Sequence, residues 1–596
     1  MPRIWPLGRH PANEASGRAV AGRRHFPRVG RHPANEASGG AVGRRRYLFP
    51  IIIAAGCLLR LYGVDRPLDY RSLSLWHEAD YTQIARNFAR EDLDPLEPRI
   101  DWRGDSSGKV EMELPLLPWL AALSRLALGA DERVMRALSA AASLATLLIF
   151  ARLARRVLPR PGASLATACF ALSPLAVYLA TRMQPEAVMV FFEVLAASAL
   201  WRWYEQPATG RLLAAAAALG AAILVKEPAA LFGLTFAWLI WRRLGWQALR
   251  DWRVHLAALV ALAPAVAWYA WAYHFWAVDG NSLGLSDEAH LVGPDVLLRR
   301  GLLGNARVEV LEVFTPFGLV LAAAGHRLAW RRLEPAVAWL LATLLFLVVA
   351  GRTAGAGWAF YYHCLAVAPA CLLMGAGAQV LVEREGRAGA AGGKAAGGKA
   401  AAGTTAGAGV ATGASLATGA GRLLRAAALA CLALVAGWLL ARRDGLLGAA
   451  SSSVAEARDR ALCAAQFAAV IPPQGRIAVS GIDGSDAGGH RVAFSDPTFF
   501  AFADRKGFVY QHRDGSLATL AALRRRGARY WIAAASDLDR AELGRAVVER
   551  AFTRLATCPA GYVLYDLTPP RGGAPARRAV VASSKIPATR IAATHR

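Results

Sequence analysis

Apolar residues in this chain gather into repeated runs of about 18–25 positions, long enough to cross a bilayer's hydrocarbon core as helices. Arginines punctuate the ends of these runs, as in RRVLPR at 155–160 and WRR at 241–243 and 330–332. Read in order, the pattern predicts spans at 47–64, 134–154, 163–181 and 186–204. A pair at 212–225 and 229–241 follows, broken by Lys226-Glu227-Pro228, where the proline removes a backbone donor and disfavours helix in the residue before it. Further spans lie near 255–276, 310–325, 336–350, 363–382 and 422–441. About eleven crossings result, an odd number, so the two ends fall on opposite sides. The tail to Arg46 holds ten arginines and is expected in the cytoplasm, which puts the loop at 65–132 and the region 442–570 outside.

The period changes after 442. RIAVSG at 476–481, FVYQ at 508–511, RYWIAA at 529–534 and GYVLYDL at 561–567 read as short strands, with SLATLAALRRRG at 516–527 helical between them. A small extracytoplasmic α/β domain over 442–570 is the expectation. Cys463 and Cys558 fall inside it, where an outside location permits a disulfide. The other cysteines, at 57, 169, 364, 371 and 431, sit in or beside apolar runs and read as small buried side chains. Three segments lack core-forming residues. Residues 1–46 form a basic tail repeating GRHPANEASG at 8–17 and 30–39. Residues 383–421 form a Gly/Ala linker before the last span at 422–441, and 571–596 a second basic tail.

Composition agrees with a membrane protein. The chain is 55% hydrophobic over 596 residues, with a mean hydropathy of +0.30, too apolar for a soluble protein of this size. A net charge of +26 would suit nucleic acid, but the arginines cluster at the ends of apolar runs, where topology accounts for them.

The chemistry gathers at the outer ends of the spans. As a helix, WHEADYTQIARNF at 76–88 puts Trp76, Asp80 and Gln83 on one face and Tyr81, Ile84 and Phe88 in an apolar stripe. Such a helix should lie on the membrane, stripe down, with Glu78 and Asp80 at the water boundary. A solvated acidic face fits the same spacing. Glu111 and Glu113 flank Met112 just before the apolar PLLPWL. In TRMQPEA, 181–187, an outward span turns inward within a few residues, so Arg182 and Glu186 are expected to meet, as a salt bridge or as site groups. Lys226 and Glu227 form a third such turn. Lys226 suits a phosphate as a cationic point charge, or snorkels to ordinary headgroups. Glu193 lies within a span and should be paired or cavity-facing. His274 and His363 read as interface or core residues.

WHEADYTQIARNF, followed by PRIDWRG and ELPLLPWL, resembles the first outer loop of bacterial GT-C glycosyltransferases, the superfamily of protein O-mannosyltransferases and the lipid A aminoarabinose transferase. RMQPEA looks like the family's second acidic position, LVKEPA like its TKxP-type turn, and YYHCLAVAPA at 361–370 like its late span. The resemblance covers 47–382 and implies a helical GT-C-like membrane domain using a polyprenyl-phosphate-linked sugar, with inversion. It implies Asp80 as general base, Glu113 and Glu186 as further catalytic groups, and Glu78, Arg86, Arg182 and Lys226 as substrate-binding groups. A divalent cation, if used, would sit on Glu113 and Glu186. The acceptor would be a lipid, a glycan or a protein, with no role for nucleic acid. The location implied is the bacterial inner membrane, with the site facing the periplasm. The chain departs from the family in lacking the double-acid DE pair, since His77-Glu78 precedes Asp80, and the lysine of an EKPPL element, since Leu114 follows Glu113. Two other classes also fit a polytopic chain: a transporter or flippase, which should carry ionisable groups near the midplane, and a non-catalytic scaffold for the envelope.

Overall fold

The computed structural model describes residues 42–568, except 69–71, 73, 287–299, 351–356, 401–451, 482–483, 486–490, 493, 495, 512–514 and 540–542. The expected span at 422–441 and both tails after and before it, 571–596 and 1–41, lie outside the described residues. The membrane part opens with α1 (Val42–Leu61), α2 (Leu75–Arg90), α3 (Leu116–Leu128), α4 (Arg133–Val157), α5 (Arg160–Ala171) and α6 (Pro174–Leu179). It continues through α7 (Glu186–Glu205), α8 (Thr209–Val225), α9 (Phe232–Leu244) and α10 (Trp252–Asp279). Then come α11 (Arg300–Val308), α12 (Thr315–Arg332), α13 (Glu334–Val349) and α14 (Cys364–Ala400). Four helical stretches among the described residues are long and apolar enough to span a membrane: Arg133–Val157, Glu186–Glu205, Trp252–Asp279 and Ala359–Leu381. Shorter apolar helices at Phe49–Leu61, Leu116–Leu128, Thr209–Val225 and Glu334–Val349 accompany them.

Two expectations change. The run at 163–181 is not one span but α5 and α6, broken at Leu172-Ser173. Pro174 cannot continue the ladder, and the Ser173 hydroxyl accepts from Ala176 N to start the next helix. The carbonyls freed at the break are satisfied by a buried arginine. Arg60 donates to Phe170 O at 2.9 Å and Ala171 O at 2.6 Å, and to Ser143 Oγ at 3.1 Å. The Gly/Ala segment is also not wholly a linker, because α14 runs on to Ala400. Alanine is the best helix former, and extending an existing helix needs no new nucleus.

Beyond the membrane part, α15 (Ser452–Ala468) leads into a five-stranded sheet of order β4-β1-β5-β7-β6. Its strands are β1 (Ile477–Gly481), β4 (Gly507–Gln511), β5 (Tyr530–Ala533), β6 (Thr553–Thr557) and β7 (Val563–Asp566), with β2 (Gly484–Ser485) and β3 (Arg491–Val492) forming a small hairpin. β1 runs parallel to β4 and β5, while β7 runs antiparallel to β5 and β6. Helices α16 (Thr498–Ala503), α17 (Leu517–Arg525), α18 (Ala535–Leu538) and α19 (Arg545–Ala551) connect the strands. Cys463 on α15 and Cys558 after β6 form a disulfide, with Cα atoms 5.5 Å apart.

The sheet is docked on α2. Tyr81, Ile84 and Phe88 share one apolar core with Trp102, Met112, Phe467, Phe494, Phe499 and Phe500. The stripe expected to face lipid therefore faces protein, and α2 is buried from His77 to Phe88. Ion pairs seal the seam: Arg90 binds both oxygens of Asp504 at 2.8 and 2.7 Å, Lys506 pairs with Glu91, and Arg526 with Asp105. The backbone joins it too, with Gly104 N donating to Gly507 O at 2.6 Å and Gly507 N to Asp101 O at 2.8 Å. A Cβ on Gly104 would stand 2.8 Å from Gly507 O, which explains the glycine after Trp102-Arg103.

Candidate active site

Four separate stretches of chain converge on one ammonium group. Lys226 sits in extended backbone between α8 and a 3-10 turn at Glu227–Leu231, with Pro228 early in that turn. Its Nζ donates to Glu113 Oε1 at 3.1 Å and lies 3.2 Å from Glu186 Oε1. The rings of Tyr361 and Tyr362 stand at 5.7 and 5.5 Å, so the cation also faces two π surfaces.

Each carboxylate is held by local structure. Glu113 lies in a short extended segment pinned on both sides: Trp268 Nε1 donates to Met112 O at 3.1 Å, and Leu114 N donates to Leu224 O at 2.9 Å. Tyr81, one residue after Asp80 on α2, donates its hydroxyl to Glu113 Oε1 at 2.7 Å. Glu186 occupies the first turn of α7, where the helix dipole favours a negative charge. Neither of its oxygens has a hydrogen bond of good geometry, although the Lys226 charge is close. Glu227 follows Lys226 directly and keeps one buried oxygen without a partner.

Asp80 lies beside this group. It is 2% exposed, and its Oδ1 has no hydrogen-bond partner. Burial pushes its carboxyl well above the usual range; the Trp102 indole offsets this in part, while the charges of Glu113 and Asp101 add to it. Burial also acts on Glu113, but there Lys226 and the Tyr81 hydroxyl outweigh it and hold the group below the ordinary range. Two neighbouring carboxyl groups are thus driven in opposite directions, the arrangement that separates a proton carrier from a fixed charge. His77, stacked on Trp76 and edge-on to Tyr81, is lowered to about 3 by burial and by Lys226, so it stays neutral.

The remaining sequence candidates go elsewhere. Arg182 and Glu186 do not pair, because Arg182 turns back over the Tyr178 ring and faces Glu78 at 3.5 Å. Glu78 is fully buried rather than at the water boundary. It accepts from Arg136 at 2.9 Å and from Ser72 Oγ at 2.8 Å, a network that ties the loop before α2 to α4. Arg86 binds Glu132 at 2.6 Å and Ala501 O at 2.7 Å, bridging α2 to the sheet domain. Glu111 departs from Glu113 and takes both Ser282 Oγ and Ser286 Oγ at 2.6 Å, anchoring the segment after α10. Glu193 accepts from Trp339 Nε1 at 2.9 Å within the bundle, and His363 pairs with Glu309 at 2.8 Å. Sequence reasoning passed over Tyr81, His77 and Trp102. Tyr81 sat in the apolar stripe, and only knowledge of Glu113's position gives its hydroxyl a purpose.

Among the described residues, the carboxylates of this cluster are not arranged around a vacant centre for a divalent cation. Glu113 and Glu186 converge on the Lys226 ammonium, which already neutralises them. Among the described residues no three His, Cys, Asp or Glu side chains are grouped to hold a metal ion.

Residues 113–271, which carry Glu113, Glu186 and Lys226, match the family described as dolichyl-phosphate-mannose-protein mannosyltransferase. The structure is similar to that of ArnT from Cupriavidus metallidurans in the apo state, at 16% identity over 88% of this chain and 98% of that one, with a TM-score of 0.53. The fold is that of the GT-C glycosyltransferases. Weaker likenesses extend to the archaeal oligosaccharyltransferase AglB from Archaeoglobus fulgidus (12% identity, 88% of this chain and 74% of that one, TM-score 0.44) and to the arabinofuranosyltransferase AftD from Mycobacteria (16%, 88% and 41%, 0.45). No curated protein matches the sequence. Within this fold the cluster around Lys226 lies at the ends of α7 and α8 and against the loop helix α2.

Proposed function

We propose that this protein transfers a sugar from a polyprenyl-phosphate carrier to a hydroxyl-bearing acceptor on the extracytoplasmic face of a bacterial inner membrane, inverting the anomeric carbon. The observation that carries this reading is the buried convergence of Lys226, Glu113 and Glu186 beside Asp80 at the ends of apolar helices. A carrier whose isoprenoid tail stays in hydrocarbon while its sugar reaches water needs its reaction centre at that level.

In the proposed step the acceptor oxygen attacks the anomeric carbon, the bond from that carbon to the phosphate oxygen breaks, and polyprenyl phosphate leaves. Asp80 takes the acceptor's proton. A carboxylate whose affinity for a proton is raised by burial is a stronger proton acceptor than an ordinary one. Lys226 supplies positive charge for the phosphate as its negative charge grows. Glu113 orients Lys226, and Glu186 and Glu227 offer acceptor oxygens to sugar hydroxyls. The sheet domain lies outside the membrane and covers α2.

Incubating the purified full chain with a panel of polyprenyl-phosphate sugars tests this. Release of polyprenyl phosphate that depends on Lys226 is expected. Uptake of the intact carrier without cleavage would favour a transporter.

A further inference from the structure

We propose that the turn joining α9 to α10 is a binding surface for anionic phospholipid headgroups, on the membrane face opposite the carboxylate cluster. Connectivity sets its place. α9 starts just past Lys226, and α10 ends at Gly280, next to Asn281, whose carbonyl accepts from Glu111 N at 2.9 Å. Both helices therefore have one end at the cluster and the other at residues 245–251. With lengths of about 20 and 42 Å, they hold the turn well away from it.

The turn exposes a surface that water alone does not favour. Trp246 is 75% exposed, Leu249 63% and Trp252 62%, while Ala248 between them is buried and pins the 3-10 turn Gly245–Arg250 to the bundle. Arg243, Arg250 and Arg253 are exposed among these apolar groups. The nearby acids are already used. Asp251 caps α10 by accepting from Arg253 N at 2.9 Å, and Glu334 binds Arg242 at 2.7 Å. Among the described residues no ion pair reaches Arg243, Arg250 or Arg253. Tryptophans at the glycerol level with arginines beside them match a headgroup layer, and the unbalanced charge selects anionic lipid over zwitterionic.

The experiment compares lipid retention by the detergent-purified full chain, read by native mass spectrometry, for phosphatidylglycerol and phosphatidylcholine of the same acyl chains. Wild type should keep phosphatidylglycerol preferentially. The combined Arg243→Gln, Arg250→Gln, Arg253→Gln variant should lose that preference by about tenfold or more, at roughly fivefold per arginine. Its phosphatidylcholine retention and its turnover in phosphatidylcholine should not change. Equal retention of both lipids by wild type, or an undiminished preference in the variant, overturns the proposal. If the combined variant folds poorly, the three single variants decide in the same way, each expected to lose about fivefold.

Discussion

Lys226 donates to Glu113 Oε1 at 3.1 Å across 113 positions of sequence, and the same ammonium lies 3.2 Å from Glu186. One cation therefore balances two buried carboxylates. Lys226→Met strands both, and breaking a buried pair costs about 3–5 kcal/mol. Thermal unfolding should show a large drop for Lys226→Met, and adding Glu113→Gln to it should restore part of the loss. Turnover should stay absent in both. Additive destabilisation in the double variant would mean that the two groups do not depend on each other.

Glu78 stands in a different network. With Arg136 at 2.9 Å and Arg182 at 3.5 Å, it neutralises buried guanidinium charge below the start of α2. Glu78→Gln is expected to destabilise the protein by about 3–5 kcal/mol, more than a surface acid would. Purified yield and unfolding temperature measure this. A Glu78→Gln protein as stable as wild type would show that the arginines find other partners.

Asp101 gives a pH-dependent prediction. Burial raises its carboxyl to about 6 from 3.8, against hydrogen bonding from Asn87 and the charge of Lys506. A group raised in the folded state contributes stability that is complete below its unfolded pKa and is lost as the pH rises through the folded value. Wild type should therefore lose stability as the pH climbs through about 6. Asp101→Asn, which can still accept from Asn87, should be the more stable at neutral pH and no better near pH 3.8. Unfolding temperatures across that range check it, and parallel curves for the two proteins would refute it.

Much of this was legible in the sequence, for a physical reason. Helix length against bilayer thickness located the four helical stretches long and apolar enough to cross, and Pro228 marked the break at Lys226. Period-two runs matched strands at Ile477–Gly481 and Tyr530–Ala533. What misled was exposure. The periodicity of α2 shows which residues share a face but not what covers each face, and the cover arrives from residues some four hundred positions away, as with Gln83 and Pro497 O at 3.1 Å. Pairing misled for the same reason: Arg182 and Glu186 are neighbours in sequence, yet Arg182 faces Glu78 and Glu186 faces Lys226, each from a distant stretch of chain. The span at 163–181 hid a break whose carbonyls the buried Arg60 satisfies from a distant helix.

The sheet domain should matter for the chemistry without reaching it. Asp504 binds Arg90 through both oxygens and Arg86 at 3.4 Å, and although burial opposes it, these arginines hold its carboxyl down at about 2. Its contribution is complete above the unfolded value of 3.8 and is lost only as the pH falls through about 2, so it acts fully at neutral pH. Asp504→Ala should speed amide hydrogen exchange in α2 and lower turnover. Unchanged exchange in α2 would separate the seam from the site.

In the proposed step Asp80 takes the acceptor's proton. Asn at position 80 keeps the shape but cannot accept that proton, and it removes a buried carboxylate whose Oδ1 has no partner, so folding should not suffer. The direct measurement is polyprenyl phosphate release by purified wild type and Asp80→Asn across pH. Wild type should gain activity with an acid limb above the ordinary carboxylate range, and Asp80→Asn should turn over about a hundredfold more slowly or worse, with that limb gone and its unfolding temperature at least equal to wild type. Near-wild-type release by a folded Asp80→Asn protein would contradict the account and move the role to Glu113.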